Sequence, residues 1–178
     1  MSRILILTGS PRKNGNTDRL AASFAEGAGK HNEVKIISVH DLDINPCTGC
    51  NCCYLSEGNK CFQNDDMAEV YDAMSEADVL VIASPVYFYG LSAQLKAMID
   101  RLHTPMRNTF HIKKLGLILV GAAELPEMFD AIITQYRLAL NFFKLEDAGT
   151  VLARGARDKG DVRNDDLEAA YRLGSSIT

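Results

Sequence analysis

The sequence predicts a three-layer α/β fold, a five-stranded parallel sheet of order 2-1-3-4-5 with helices on both faces. Three observations predict it. Apolar runs of buried-strand type alternate five times with amphipathic stretches, the signature of successive βα units. The run Val79–Ala83 is continuously apolar, as a strand covered on both faces must be. The chain's 178 residues, 47% hydrophobic and 24% charged, suit one compact domain spanning 1–178. Right-handed crossovers then set the strand order.

Each element has its own local reason. Arg3–Thr8 is a short apolar run, and Thr17–Lys30 follows with Leu20, Phe24 and Ala28 on one helical face. Val34–Val39 is β-branched and apolar. Asp65 or Asp66 can cap a helix in which Met67, Val70, Tyr71 and Met74 recur at i, i+3, i+4 and i+7. The two aspartates read as that cap rather than as an acid/base pair. After Val79–Ala83, Ser92 caps a helix with Leu95, Met98, Ile99 and Leu102 on one face. Leu115–Val120 is the fourth strand. A helix from about Pro126 turns Phe129, Ile132, Ile133, Tyr136, Leu140 and Phe143 inward. Thr150–Ala153 is a weaker fifth strand, and Asp165–Ser175 is the last helix.

Charge and composition narrow the function. Lys+Arg 19 against Asp+Glu 23 leaves a net charge of −4. Such a chain lacks the basic surface that draws proteins to nucleic acid or anionic lipid. The apolar stretch Leu115–Ala123 is far short of the roughly 18 residues of a membrane span. Ile4–Leu7 is shorter than the roughly 7–15 residue core of a signal peptide, so a cytoplasmic protein is expected. All five cysteines fall between Cys47 and Cys61. A disulfide framework would spread them through the chain, so the group reads as a metal or redox site.

In sheets of this order ligands bind beyond the carboxyl ends of the strands, at the switch point between strands 1 and 3. The loops to read are Gly9–Asn16, Ser84–Leu91 and Gly121–Leu125, with the cysteine-rich loop 41–64 opening on the same rim. The first loop leads into a helix N-terminus, where free N–H groups and the helix dipole favour anions. Ser10, Asn14, Asn16 and Thr17 add short donors, Arg12 adds a charge suited to phosphate, and Gly15 allows close approach. A Walker A loop is excluded, because five residues rather than four separate Gly9 from Gly15 and Asn16-Thr17 follows. The pattern G-x-G-x-x-G is absent. An ordinary capped turn is the plain alternative, and placement after strand 1 favours phosphate. In the second loop Pro85 stops the strand, Val86, Tyr87, Phe88 and Tyr89 offer a wall to a planar ring, and Gly90 permits a close turn. Core packing or a subunit contact is the alternative for these aromatics.

With Gly9-Ser-Pro-Arg-Lys-Asn-Gly-Asn-Thr17, and Ser84-Pro-Val-Tyr-Phe-Tyr-Gly90 leading into Ala93–Arg101, the chain resembles the flavodoxin-like NAD(P)H-dependent FMN reductase superfamily. The likeness runs through Gly160-Asp161-Val162 and the final helix, so it spans essentially the whole chain. It implies a flavodoxin-like fold and an FMN cofactor. The phosphate would lie on Ser10, Arg12, Asn14, Asn16 and Thr17, and the ring along Pro85, Val86, Tyr87, Phe88 and Gly90. Gly121-Ala-Ala-Glu124 departs from the small polar residues expected in the third loop. Flavin brings hydride and one-electron chemistry itself. No residue is named catalytic, and none of His31, His40, His103 and His111 pairs with a carboxylate at ligand spacing.

The cysteines run Cys47-x₂-Cys50-x₂-Cys53-x₇-Cys61, with Cys52 extra. Bacterial ferredoxin runs share the first three spacings. Zinc is the metal rival, but its Cys₄ sites usually pair two C-x₂-C knuckles about 15–20 residues apart. Iron–sulfur flavoproteins of the superfamily carry a compact motif in this loop, onto which Cys47, Cys50, Cys53 and Cys61 fall. The resemblance thus implies a [4Fe-4S] cluster beside FMN, a homodimer or homotetramer, and NAD(P)H, a ferredoxin-like protein or a small acceptor as redox partner. A cluster-free FMN or quinone reductase is the alternative, since many relatives keep such cysteines without a cluster. A pure electron carrier and a redox sensor are the readings from other classes.

Overall fold

In the computed structural model, which describes residues 1–178, Arg3–Thr8 (β1) is flanked in parallel by Glu33–Ser38 (β2) and Val79–Pro85 (β3). Lys114–Val120 (β4) pairs with β3, and Glu146–Ala153 (β5) closes the sheet, giving the order β2-β1-β3-β4-β5. The sequence-derived order and the flavodoxin-like fold hold. Register runs Ile4 against Val34 and Val79, and Leu80 against Leu115.

The period-two alternation of the strands sorts their side chains into two layers. Leu5, Leu7, Leu80, Ile82, Leu117 and Leu119 face the layer of Met67–Glu76 (α3), Ala93–Asp100 (α4) and Asp130–Phe143 (α5). Ile4, Ile6, Val79, Val81 and Ile118 face Asn16–Ala28 (α1) and Asn164–Ser175 (α6). The last two helices touch backbone to backbone. A Cβ added at Gly27 would lie 2.1 Å from Tyr171 O, and one at Gly174 2.1 Å from Phe24 O.

Ser92 caps α4 as expected, accepting from Leu95 N at 3.4 Å. The edge strand β5 is longer than Thr150–Ala153, because its polar first half pairs on one side only and shifts register opposite Leu115/Gly116. Helix α5 buries only Ile132 and Tyr136 fully, a single helix turned over the sheet edge, and leaves Leu138 and Phe142 exposed. A four-residue helix, Cys52–Leu55 (α2), interrupts the cysteine loop. No helix is long and apolar enough to cross a membrane.

Candidate functional site

At the carboxyl end of β1 the chain passes tightly over α4. A Cβ at Gly9 would fall 2.3 Å from Leu95 Cγ, so only glycine fits. Helix α1 then begins after Gly15 without any side-chain cap, which leaves its first N–H groups free. They face a cleft of about 250 Å³. The cleft gathers Ser10, Arg12, Gly15, Asn16 and Thr17 from the first loop and Pro85, Val86 and Tyr87 from the second. Val120 and Ala122 form its floor, and Ala156, Arg157 and Lys159 close it from the loop after β5.

Two side chains of the first loop have different surroundings from those expected. Asn16 is buried, and its amide is fully engaged by the β5–α6 loop. Nδ2 donates to Ala156 O at 3.2 Å and Asp158 O at 2.8 Å, while Oδ1 accepts from Gly160 N at 2.9 Å and Val162 N at 3.4 Å. It braces the cleft rather than offering a free donor. Asn14, at φ 54°, faces a neighbouring hollow of about 260 Å³ shared with Asp18, Ser38 and Asp41. Burial pushes the Asp18 carboxyl up, against the opposing pull of the Asn14 and Gly15 N–H groups. Ser10 Oγ spans the turn, donating to Arg12 O and accepting from Arg12 N, both at 3.2 Å.

Arg157 and Lys159 were not singled out from sequence. The available signal was the basic stretch Arg154–Lys159 straight after a strand of this sheet. Arg12 Nη1 donates to Arg157 O at 3.1 Å, and Lys159 Nζ donates to Lys13 O at 3.2 Å, so the two loops are stapled together. Arg12, Arg157 and Lys159 have no carboxylate partner. Three uncompensated cations thus converge on one uncapped helix start. The third loop supports this strap: Gly155 N donates to Ala123 O at 3.2 Å, Ala156 N donates to Gly121 O at 3.0 Å, and Glu124 pairs with Arg163 at 3.8 Å.

The aromatic loop is a tight two-residue turn. Tyr87 and Gly90 exchange backbone hydrogen bonds of 3.0 Å, with Phe88 at φ 48° and Tyr89 at φ 63°. The left-handed positions are therefore taken by Phe88 and Tyr89, and Gly90 does not supply the conformational freedom expected of it. Each such residue costs roughly 1–2 kcal/mol. Phe88 is 98% exposed and stands outside the cleft, as does Gly90.

The cysteine loop starts beside the first loop, where Lys13 pairs with Asp41 at 3.1 Å. It does not stay there. Beyond Asp41 its polar ties to the body run to the α3–α4 layer. Asp65 and Asp66 provide no helix cap of the expected kind: Asp66 Oδ2 accepts from Asp43 N at 2.8 Å, and Asp65 Oδ2 accepts from Asn45 N at 3.0 Å and from Arg101. Asp65 Oδ1 reaches only Met67 N, at 3.3 Å. Burial would raise the Asp65 carboxyl, but Arg101 and the Asn45 N–H outweigh it and hold the group below its ordinary range. Tyr71 donates to Arg101 O at 2.7 Å, and burial pushes its phenol up to about 12.

Cys47 and Cys50 are exposed, Cys52, Cys53 and Cys61 half-buried, and none is cross-linked. The Cys52 N–H, the Cys52 thiol and the Thr48 hydroxyl lower the Cys50 thiol, whereas its hydrogen bond to Cys50 raises Cys52. Thiol donors uncommitted to the core suit a soft metal or an iron–sulfur cluster. Their arrangement is open, and no three side chains come together as a metal-holding group.

The family model described as NADPH-dependent FMN reductase matches residues 2–143. An iron–sulfur flavoprotein of Methanocaldococcus jannaschii is 34% identical, covering 98% of this chain and 95% of its own. An iron–sulfur flavoprotein of Archaeoglobus fulgidus is 35% identical over 96% of this chain and 76% of its own. Among solved structures, an NAD(P)H:quinone oxidoreductase from Methanothermobacter marburgensis superposes with a TM-score of 0.77 at 16% identity, covering 98% of this chain and 96% of that one.

Proposed function

The chain belongs to the NADPH-dependent FMN reductase family and is an FMN-dependent oxidoreductase, and from that premise we propose which residues hold the flavin and what else the molecule carries. One observation carries the assignment. An uncapped helix start with three uncompensated cations opens, within a single cleft, onto the apolar wall Pro85-Val86-Tyr87. The first half suits a phosphate dianion and the second a planar ring. The residues present fit FMN.

Arg12, Arg157, Lys159, Thr17 and the first N–H groups of α1 would hold the phosphate, with Ser10 shaping the turn beneath it. Pro85, Val86 and Tyr87 would line the ring, and Val120 and Ala122 would exclude water below it. When bound, FMN supplies hydride and one-electron chemistry. The chain's part is to bind, orient and keep the cleft dry. Flavin fluorescence titration with FMN and riboflavin, together with steady-state NADPH oxidation, tests this. Tight FMN binding, weak riboflavin binding and turnover are expected, and equal affinity for the two flavins would remove the phosphate assignment.

A second reading adds a [4Fe-4S] cluster on Cys47, Cys50, Cys53 and Cys61, with Cys52 outside the set. It is supported by the spacing and by the iron–sulfur names of the Methanocaldococcus and Archaeoglobus relatives. Iron and sulfide content after anaerobic reconstitution tests it, and a cluster-free FMN or quinone reductase is the outcome if both are absent. Self-association as a homodimer or homotetramer is proposed on the exposed aromatic tip at Phe88, with light scattering as its check.

A further inference from the structure

The cysteine loop hangs from the body by its neck. Of all its hydrogen bonds between residues 46 and 64, only one leaves the segment, from Arg107 Nη1 to Tyr54 OH at 3.5 Å. Tyr54 also lies 6.0 Å from the His103 ring, and the polar hold is at the neck, on Asp43 and Asp66 and on Asn45 and Asp65, the two residues that flank the segment. Both are met by one side chain: Arg101 Nη1 donates to Asn45 O at 3.2 Å and to the Asp65 carboxylate. The Arg101 and Asp65 side chains are only 3% and 2% exposed, the most deeply buried ion pair in the molecule.

Such a pair is poor evidence for stability in itself, because burying two charges costs about as much as their attraction returns, and an apolar pair of equal volume is often as stable. What an apolar pair lacks is direction. The two N–H bonds of Nη1, held in the guanidinium plane, fix the angle at which both chain ends leave. The same guanidinium and its partner Asp65 line a hollow of about 360 Å³ together with Cys61 and Tyr71, which brings the buried ion pair beside a thiol of the loop. We propose that Arg101, locked by Asp65, is the positioning residue of the cysteine loop: it ties the ends of segment 46–64 together and holds Cys61 at the hollow beside the ion pair. The proposal rests on reading Cys47–Cys61 as a redox loop.

The test uses the full-length FMN-loaded protein and the double variant Asp65→Leu/Arg101→Met, which removes both charges at similar volume. Melting temperature, FMN content and hydrogen exchange of segment 46–64 are measured, then iron retained after anaerobic reconstitution. We expect an unchanged melting temperature and FMN content, exchange in 46–64 faster by about ten-fold or more, and iron reduced by more than half. A pair serving stability alone would move melting temperature and exchange together. If the double variant does not fold, Arg101→Lys carries the test; it keeps the charge but loses the planar Nη1 that reaches both chain ends, and faster exchange confined to 46–64 is again expected. Unchanged exchange in the variant that folds overturns the proposal. A wild type free of iron removes the cluster reading and leaves the exchange result to judge Arg101.

Discussion

Replacing Asn16 with alanine should separate fold from flavin. The amide makes four hydrogen bonds to the β5–α6 loop, two short at 2.8 and 2.9 Å and two long at 3.2 and 3.4 Å. At roughly 1 kcal/mol for each short bond, and less for each long one, the loss comes to about 2–4 kcal/mol once the buried partner groups are left unpaired. Most of that should fall on residues 156–162, which give only Ala156 and Val162 to the 17 buried residues of the core under α1 and α6. Releasing the loop withdraws Arg157 and Lys159 from the cleft. A charge-assisted hydrogen bond is worth about 1.5–3 kcal/mol, so FMN affinity should fall at least about ten-fold while riboflavin affinity stays level. Asn16→Asp keeps the oxygen that accepts from Gly160 N and Val162 N but turns a second oxygen on Ala156 O and Asp158 O and adds a negative charge beside the proposed phosphate site, and should weaken FMN further than alanine does. Urea unfolding followed by far-UV circular dichroism measures the stability, and flavin fluorescence titration measures both affinities. Wild-type FMN affinity in a destabilised Asn16→Ala protein would refute the loop's part in holding phosphate.

Gly174→Ala puts a methyl group 2.1 Å from Phe24 O and 2.9 Å from Ala28 N, backbone atoms that cannot yield, so a loss of about 2–3 kcal/mol should appear in thermal melts. Tyr89→Gly relieves about 1–2 kcal/mol of left-handed strain against about 0.5–1 of added chain entropy, so urea stability should hold or rise; a clear destabilisation would mean the tip carries no strain. In the reduced, cluster-free protein, iodoacetamide should label Cys50 before Cys52 near pH 8, since only the Cys50 thiolate is favoured; peptide mass mapping checks the order. Asp65 is depressed in the folded state, so its stabilisation is present above its unfolded value of about 3.9 and is lost as pH falls through the lower folded one. Melting temperature should therefore drop more steeply below about pH 4 in the wild type than in Asp65→Asn.

What the sequence made legible was whatever depends on local pattern. Strand order followed from five apolar runs and handedness, and the first loop's place at the cleft followed from its position after β1, because both are properties of short segments and fixed topology. Ser92 was readable as a cap because capping is a three-residue interaction. Asp65 and Asp66 looked the same by that local rule, yet their carboxylates serve Arg101 and Asp43, partners 36 and 23 residues away. Asn16 lies in the expected loop with unexpected partners for the same reason: its bonds span 140 residues or more. Phe88 and Tyr89 broke the turn chemistry outright, since glycine is the residue those dihedrals ask for. Local reasoning fails where strain is kept, and strain is kept beside the cleft.

The cleft and the cysteines belong to opposite layers, and one helix joins them. Phosphate-side residues sit with α1 and α6, whereas the cysteine neck is fixed to α3 and α4. Helix α4 begins at the flavin turn, where Ser92 N donates to Ser84 Oγ at 3.0 Å and Ser92 caps Leu95, and it ends in Arg101. Its eight residues span about 12 Å, and Leu95 seals its start beneath Gly9. The turn that follows the proposed ring wall and the residue proposed to position the cysteines thus lie at the two ends of one short helix. Shifting the helix at either end must displace the other, because neither Gly9 nor the buried Arg101–Asp65 pair leaves it room to pivot alone. The β3–turn–α4 unit is therefore the part of the fold that runs from the proposed flavin cleft to the neck of the cysteine loop.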